Sequence, residues 1–360
     1  MRLVRTIDLR SDTVTKPDAA MRAAMAAAEV GDDVLDHDPT MRTLEERVAG
    51  LLDVEAALWV PSGCMGNVIA LMAHLQRGDA FLAPDGAHVL GAELGAPAWL
   101  AGGMPVPLPH DGGPGRPTPQ AVRAYAGPGR SGPYYTLRTT LLCTENTHNA
   151  AGGTVTTPAE HAELVSAARE AGLAVHLDGA RIWNAAAALG VPPADLTSGV
   201  DTMQVCLSKG LGAPVGSLVA GSAAFVVEAR RLRKMVGGGV RQGGVLAAAG
   251  LIALDRRDEL LADHDAARML ADGLAELGWD VAAPQTNMVL MTVPDIAGMV
   301  AALAGVGVLA RPMADRLRFV THRDVSKADI AEVLARFVAL AGHQGLTHRA
   351  PGTDTPGTRD

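Results

Sequence analysis

Aromatic residues are scarce in this chain: Phe, Trp and Tyr make up 3% of its 360 residues. Any core must therefore be built from Ala, Val, Leu and Met. At 48% hydrophobic residues there is ample material for a large one, which excludes an intrinsically disordered chain. Long apolar runs are also missing. The longest, around Val215–Val227, carries two serines and stops at Glu228, short of the roughly 18 residues a membrane span needs. Excess positive charge is absent, and a net charge of −8 argues against nucleic acid or an anionic membrane surface as a partner. Cysteines are few. Cys64, Cys143 and Cys206 are odd in number and far apart, which suits a reducing cytoplasm and neither a disulfide framework nor a zinc site. The N-terminus, Met1-Arg2-Leu3-Val4-Arg5, has charges where a signal peptide keeps its apolar stretch. These features predict a cytoplasmic globular protein of about two domains.

Lysine is the most informative shortage. Of 31 basic residues only Lys16, Lys209, Lys234 and Lys327 are lysines. Chemistry that needs a deprotonatable amine has only these four candidates, because an arginine guanidinium stays protonated.

From about residue 40 to 225 the pattern alternates helix and strand. Asp38-Pro39 opens a helix with Leu44, Val48, Leu51 and Leu52 on one face, and another carries Val68, Leu71, Met72 and Leu75. Thr157-Pro158-Ala159-Glu160 is a capping box, and Gly172 closes its helix. Strands are expected at Ala57–Val60, Ala80–Ala83, Thr139–Cys143, Leu173–Leu177, Thr202–Leu207 and Ser217–Ala220. Short apolar strands between amphipathic helices predict an α/β fold with a mostly parallel sheet covered on both faces. Beyond Ala249, helices near Asp258–Leu277 and Lys327–Leu340 enclose apolar segments at Asn287–Val293, Val306–Ala310 and Leu317–Thr321. That texture predicts a smaller C-terminal α+β domain. The expected division is an N-terminal arm (1–15), a large domain (16–249), a small domain (250–342) and a disordered tail (343–360).

The strand Ala174–Leu177 ends in Asp178-Gly179-Ala180-Arg181, a carboxylate where open α/β sheets bind ligands. Read alone, Asp178 is more readily a cap for the next helix. The strand Thr202–Leu207 ends in Ser208-Lys209-Gly210, and a strand-helix-strand crossover brings both ends to one sheet edge. A lysine and a carboxylate there suit pyridoxal phosphate, with Lys209 as the Schiff-base amine and Asp178 on the pyridine nitrogen. Pro61-Ser62-Gly63-Cys64-Met65-Gly66-Asn67, between a strand and a helix, offers a phosphate cradle of backbone N–H groups. Ser208 can donate a further bond. His88, after Asp85-Gly86-Ala87, and His148, in Glu145-Asn146-Thr147-His148-Asn149, are candidate ring partners or general bases. Each is equally a surface or capping histidine when read alone.

Together these segments, with Ile7-Asp8-Leu9-Arg10-Ser11-Asp12-Thr13-Val14-Thr15 and Gly237-Gly238-Gly239-Val240-Arg241-Gln242, closely resemble the low-specificity L-threonine aldolases. These are fold-type-I pyridoxal-phosphate enzymes. The likeness runs from about residue 7 to 322. It implies Lys209 as the cofactor lysine, Asp178 on the pyridine nitrogen, His88 stacked on the ring, and Gly63 and Cys64 on the phosphate. It also implies Ser11, Arg181 and Arg318 around the substrate carboxylate, and a homotetramer with sites at a dimer interface where Arg241 reaches a neighbour's phosphate. The implied reaction is reversible cleavage of a β-hydroxy-α-amino acid to glycine and an aldehyde, without a metal. Cys64 departs from the family's usual threonine, Ala92 from a common tyrosine, and Ala96 from a second glycine. The rivals are a β-eliminating lyase, an aminotransferase, a transaldolase, or a cofactor-binding regulatory protein without turnover.

Overall fold

The computed structural model describes residues 5–35, 37–129 and 134–344. The expected tail from residue 345 onward and part of the Gly127–Pro133 connection lie outside the described residues, while His343 and Gln344, expected to be disordered, end the last helix, Lys327–Gln344. Strands in chain order are β1 (Ile7–Asp8), β2 (Ala56–Val60), β3 (Ala80–Pro84), β4 (Met104–Leu108), β5 (Thr139–Glu145), β6 (Ala174–Gly179), β7 (Thr202–Cys206) and β8 (Ser217–Gly221). They continue with β9 (Asp280–Val281), β10 (Met288–Thr292), β11 (Val308–Leu309), β12 (Arg311–Met313) and β13 (Arg316–Val320).

Seven strands form one sheet in the order β2-β8-β7-β6-β5-β3-β4. Only β8 runs against the rest, antiparallel to both β7 and β2. The link from β7 to β8 is too short for a crossover, so the chain turns back on itself. The edge strand β4, Met104-Pro105-Val106-Pro107-Leu108, is not among the strands expected from the sequence. Two prolines lack the N–H a central strand needs, and the edge is where they are tolerated.

Both faces of the sheet are covered. Leu177, Met203, Val205, Leu218 and Ala220 pack against the helices Pro39–Leu52, Ile182–Leu189 and Gly244–Asp255. Leu82, Leu142 and Val175 face Pro119–Ala126 and Pro158–Glu170 on the other side. The helix starts follow the sequence signals. Asp38 Oδ1 accepts from Met41 N at 2.9 Å, and the Thr157/Glu160 capping box is formed in both directions.

A second, antiparallel sheet has the order β12-β13-β10-β9. Its cluster of Val289, Met291, Leu317, Phe319 and Phe337 also takes in Ile7 and Leu9 of the N-terminal segment. Strand β1 pairs in parallel with β11, and Val320 N donates to Leu9 O at 2.8 Å. This stitching holds Arg10–Asp12 beside Arg318. Among the described residues no helix is long and apolar enough to cross a membrane.

Candidate active site

Glu145, Asp178 and Gln204 stand in register on β5, β6 and β7, near their carboxyl ends. Lys209 follows β7 and is half-buried. Its carbonyl accepts from Thr15 Oγ1 at 2.9 Å, which ties the lysine loop to the N-terminal segment. The Lys209 charge acts on both Asp178 and Asp12, so the parallel β6–β7 pairing brings lysine and carboxylate to one edge. Asp178 is not a helix cap. The helix Ile182–Leu189 has no side-chain cap, and Asp178 Oδ1 accepts instead from Gln204 Nε2 at 2.6 Å and Ala180 N at 3.0 Å.

Asn67, on the helix Gly63–His74, holds the other side of Asp178. Its Nδ2 donates to Asp178 Oδ2 at 2.8 Å and to Glu93 Oε1 at 2.7 Å. Its Oδ1 accepts from His176 Nε2 at 3.1 Å. Burial pushes the His176 ring down to about 3, so it is neutral and its Nδ1 accepts from Thr202 Oγ1 at 2.9 Å. The one hydroxyl proton of Thr202 is thereby used, and its oxygen accepts from His74 Nε2 at 2.9 Å. Every donor in this chain points toward the two carboxylates. Although burial opposes ionisation of Asp178, the charges of His88 and Lys209 and the Asn67 and Gln204 bonds hold its carboxyl below the usual range.

His88 opens the short helix His88–Gly91. Its backbone N–H donates to Glu145 Oε2 at 2.7 Å, and its Nδ1 meets Glu93 Oε1 at 2.9 Å. Glu145 Oε1 also accepts from Asn149 N, so one carboxylate clamps the loops of both candidate histidines. The Glu93 hydrogen bond raises the His88 pKa. With Nδ1–H committed to Glu93, Nε2 carries the available lone pair. His148 differs. It is buried, which lowers its pKa, and its Nδ1 accepts from Ala151 N at 3.2 Å. Its proton therefore sits on Nε2, an atom that is buried and without a partner.

The two arginines are unequal. Arg181 is buried, with Nε and Nη2 donating to Asp12 at 2.8 and 2.6 Å, a two-pronged ion pair. Only Nη1 remains, and it reaches Asn149 Oδ1 at 3.3 Å. Arg318, also buried, donates from Nη1 to Asn149 Oδ1 at 2.8 Å and from Nη2 to Arg10 O at 3.1 Å. Its Nε is buried without a partner, and burial together with Arg181 lowers its pKa to about 10. Ser11 is buried beside them, and its Oγ accepts from Thr13 N and Thr13 Oγ1.

At the other end of the edge, Ser62 caps the helix Gly63–His74 and takes up Met65 N. The N–H groups of Gly63 and Cys64 belong to the first turn, which has no intrahelical acceptors. A Cβ at Gly63 would come within 3.0 Å of Cys206 Sγ and 3.2 Å of Gln204 Oε1, so glycine keeps this wall open. Cys64 is exposed, and partial burial first, then Glu93 and Asp178, push its thiol up to about 11. Ser208 is half-buried at the start of the lysine loop. Arg241 is not gathered into this cluster: its guanidinium is exposed and paired with Asp32 at 3.0 Å.

Comparison with known proteins fits this geometry. The beta-eliminating lyase family model matches residues 8–295. The low-specificity L-threonine aldolase 1 of Arabidopsis thaliana is 41% identical, covering 93% of this chain and 96% of its own. The low specificity L-threonine aldolase of Escherichia coli K12 is 40% identical, covering 93% and 99%. The chain belongs to this family. Among solved structures, a Leishmania major threonine aldolase aligns with a TM-score of 0.80 at 20% identity, covering 93% of this chain and 99% of its own. A Sphingomonas wittichii serine palmitoyltransferase aligns at 0.74 and 19%, covering 95% and 88%. The fold is thus that of the fold-type-I pyridoxal-phosphate enzymes, and the chain is a pyridoxal-phosphate-dependent lyase.

The residues present fit that cofactor. An ionised buried carboxylate, an amine on the neighbouring strand end and an open helix N-terminus supply what a phosphorylated pyridine aldehyde needs. Sequence reasoning missed Asn67, Glu93, Gln204, Asp12 and Asn149 as members of the site. Gln204 carried a usable signal, a polar residue inside an apolar central strand that must find a partner. The others pair only through the tertiary fold.

Proposed function

We propose that the chain cleaves L-threonine, L-allo-threonine and related β-hydroxy-α-amino acids reversibly to glycine and an aldehyde. Lys209 would carry the cofactor, Asp178 would face its ring nitrogen with His88 over the ring, and Gly63, Cys64 and Ser208 would hold its phosphate. When bound, pyridoxal phosphate supplies an electron sink for the pair released at Cα as the Cα–Cβ bond breaks. The observation that carries the reading is Arg318. A buried guanidinium with an unpartnered Nε, near Arg181 and Arg311 and within the field of Asp12, is hydrogen-bonded to no anion, and an α-carboxylate supplies one. Arg181, already held by Asp12, supports that pocket through Asn149, and Ser11 lies at its rim.

His88 is the base in this reading. Its Nδ1–H is given to Glu93, its Nε2 takes the β-hydroxyl proton, and Glu93 stabilises the imidazolium that forms. On the same reasoning His148 presents an N–H rather than a lone pair at Nε2, so it is a donor and not the base.

The same reading divides the chain into an arm (1–15), a cofactor-binding unit (16–249) and a smaller unit (250–342). Two separate apolar clusters support the two larger units, with Ala253, Leu254 and Leu260 joining the first and Ile7 and Leu9 of the arm joining the second. It makes the protein a cytoplasmic homotetramer with sites at a dimer interface and Arg241 presented to a neighbour. The exposure of Arg241, and of the apolar Leu94 and Trp99, supports an interface with another copy. The test is acetaldehyde release from both threonine diastereomers, beside a Lys209→Ala variant. Ammonia and an oxo acid in place of acetaldehyde would instead establish a β-eliminating lyase.

A further inference from the structure

Cys64 stands where the family usually has threonine, and nothing in the reaction above uses its sulfur. One ligand atom each from Cys64, His88 and Glu93 lie within 4.8 Å of one another. We propose that these three side chains form a binding site for a thiophilic divalent cation such as Zn2+. Thiolate, imidazole and carboxylate are all zinc ligands, and three protein ligands leave a tetrahedral ion one open position.

The geometry is close to what an ion requires. Two N or O ligands at about 2.0–2.1 Å from a common zinc lie roughly 3.3 Å apart at the tetrahedral angle. His88 Nδ1 and Glu93 Oε1 are 2.9 Å apart, so they need to part by only about 0.4 Å for an ion to take the place of the proton they share. The Glu93 side chain is fully buried, and its second oxygen, Oε2, has no hydrogen-bond partner. That buried, unpartnered oxygen gives the carboxylate an unused acceptor beside the other two ligands. The Cys64 sulfur has to close by up to roughly 1 Å for a zinc–sulfur bond of about 2.3 Å. Asn67 already donates to Glu93 Oε1 and serves as the outer-shell group that orients the carboxylate.

Protons balance as follows. The thiol proton leaves to solvent, and the Nδ1 proton moves to Nε2 of a neutral ring or leaves from a charged one. At least one proton is released per ion, so affinity rises about tenfold or more per pH unit. On the reading that His88 Nε2 is the base, a bound ion turns that atom into an N–H donor and slows cleavage. This consequence rests on the proposed reaction; the binding does not.

The test is competition for Zn2+ between the purified holoenzyme and a chromophoric chelator, with Co2+ substitution to reveal a thiolate-to-metal charge-transfer band against the metal-free holoenzyme. The expected result is one ion per chain, with the band lost in both Cys64→Thr and Cys64→Ala. Losing a direct ligand should weaken binding by more than the roughly 10- to 100-fold that losing an outer-shell partner costs. Two variants guard against a folding artefact, and threonine is the family's usual residue here. Equal affinity in wild type and both variants, or no zinc held against a weak chelator, overturns the site. Zinc bound through Cys64 without any slowing of cleavage supports the site and overturns the assignment of the base to His88.

Discussion

Arg318 and Arg181 lie against the same asparagine, yet their charges are satisfied differently. Asp12 neutralises Arg181 completely, while Arg318 has only neutral oxygens. Arg318→Ala therefore removes the carboxylate's partner and leaves the Arg181–Asp12 pair intact. A charge-assisted hydrogen bond contributes about 1.5–3 kcal/mol, so kcat/KM should fall roughly ten- to hundredfold, mainly through KM. Cofactor affinity, measured by fluorescence titration, should stay unchanged. Equal KM in variant and wild type would place the carboxylate elsewhere. His88 gives a second outcome at this scale. Glu93 raises its pKa, and a base must be deprotonated to act, so activity should rise with pH through that raised value. In Glu93→Gln the His88 pKa falls back toward 6.5, and the acid limb of kcat/KM against pH should move to lower pH, with a lower plateau from the weaker base. An unmoved limb would separate the titrating group from His88.

At the scale of the element, the helix Gly63–His74 does two jobs with opposite ends of one stretch. Its first turn presents the N–H groups of Gly63 and Cys64, and one turn later Asn67 reaches two buried carboxylates and a neutral histidine. Asn67→Leu keeps the helix apolar face but leaves Asp178, Glu93 and His176 short of partners. Unmet buried groups cost about 1–3 kcal/mol each, so urea unfolding should show a clear loss. Asn67→Gln, able to offer the same amide, should recover part of it. The sequence made the edge of the sheet legible: a strand-helix-strand crossover has one direction, so Asp178 and Lys209 had to end together. It also made the capping box and the apolar strands legible, because those signals are local. It left Asn67 and Gln204 in the dark because their partners are 26 to 111 residues away. Strand β4 escaped notice for a different reason: its prolines read as loop, and only its place at the sheet edge makes them compatible with a ladder.

Over the whole molecule, buried titratable groups pull stability in opposite directions as pH changes. His176 and His264 are pushed down to about 3 and about 4, chiefly by burial. The unfolded chain binds their protons below about 6.5, so their contribution is lost as pH falls through that window. Asp12 adds to the loss at lower pH still, since Arg181 holds its carboxyl far down against the cost of burial. Glu45 and Asp263 work the other way. Burial raises them to about 7 and about 8, so the folded chain keeps protons that the unfolded chain has already released. Their neutral forms are retained with falling stability as pH climbs from the ordinary carboxylate range to those values. Well above pH 6.5 these two histidines no longer titrate in either state, and the raised carboxyls act together with His88, whose raised pKa works in the same direction. Unfolding free energy of the cofactor-saturated protein should therefore decrease between pH 6.5 and 8, by up to about 1.4 kcal/mol per pH unit for each proton involved. Asp263, on the helix Leu260–Glu276, titrates over that whole interval, with the Asp12 charge adding to its burial. Asp263→Asn keeps the shape, removes the titration and should flatten most of the decline. A decline of equal slope in Asp263→Asn would assign the pH dependence to Glu45, whose window closes near 7, to His88, or to cofactor release.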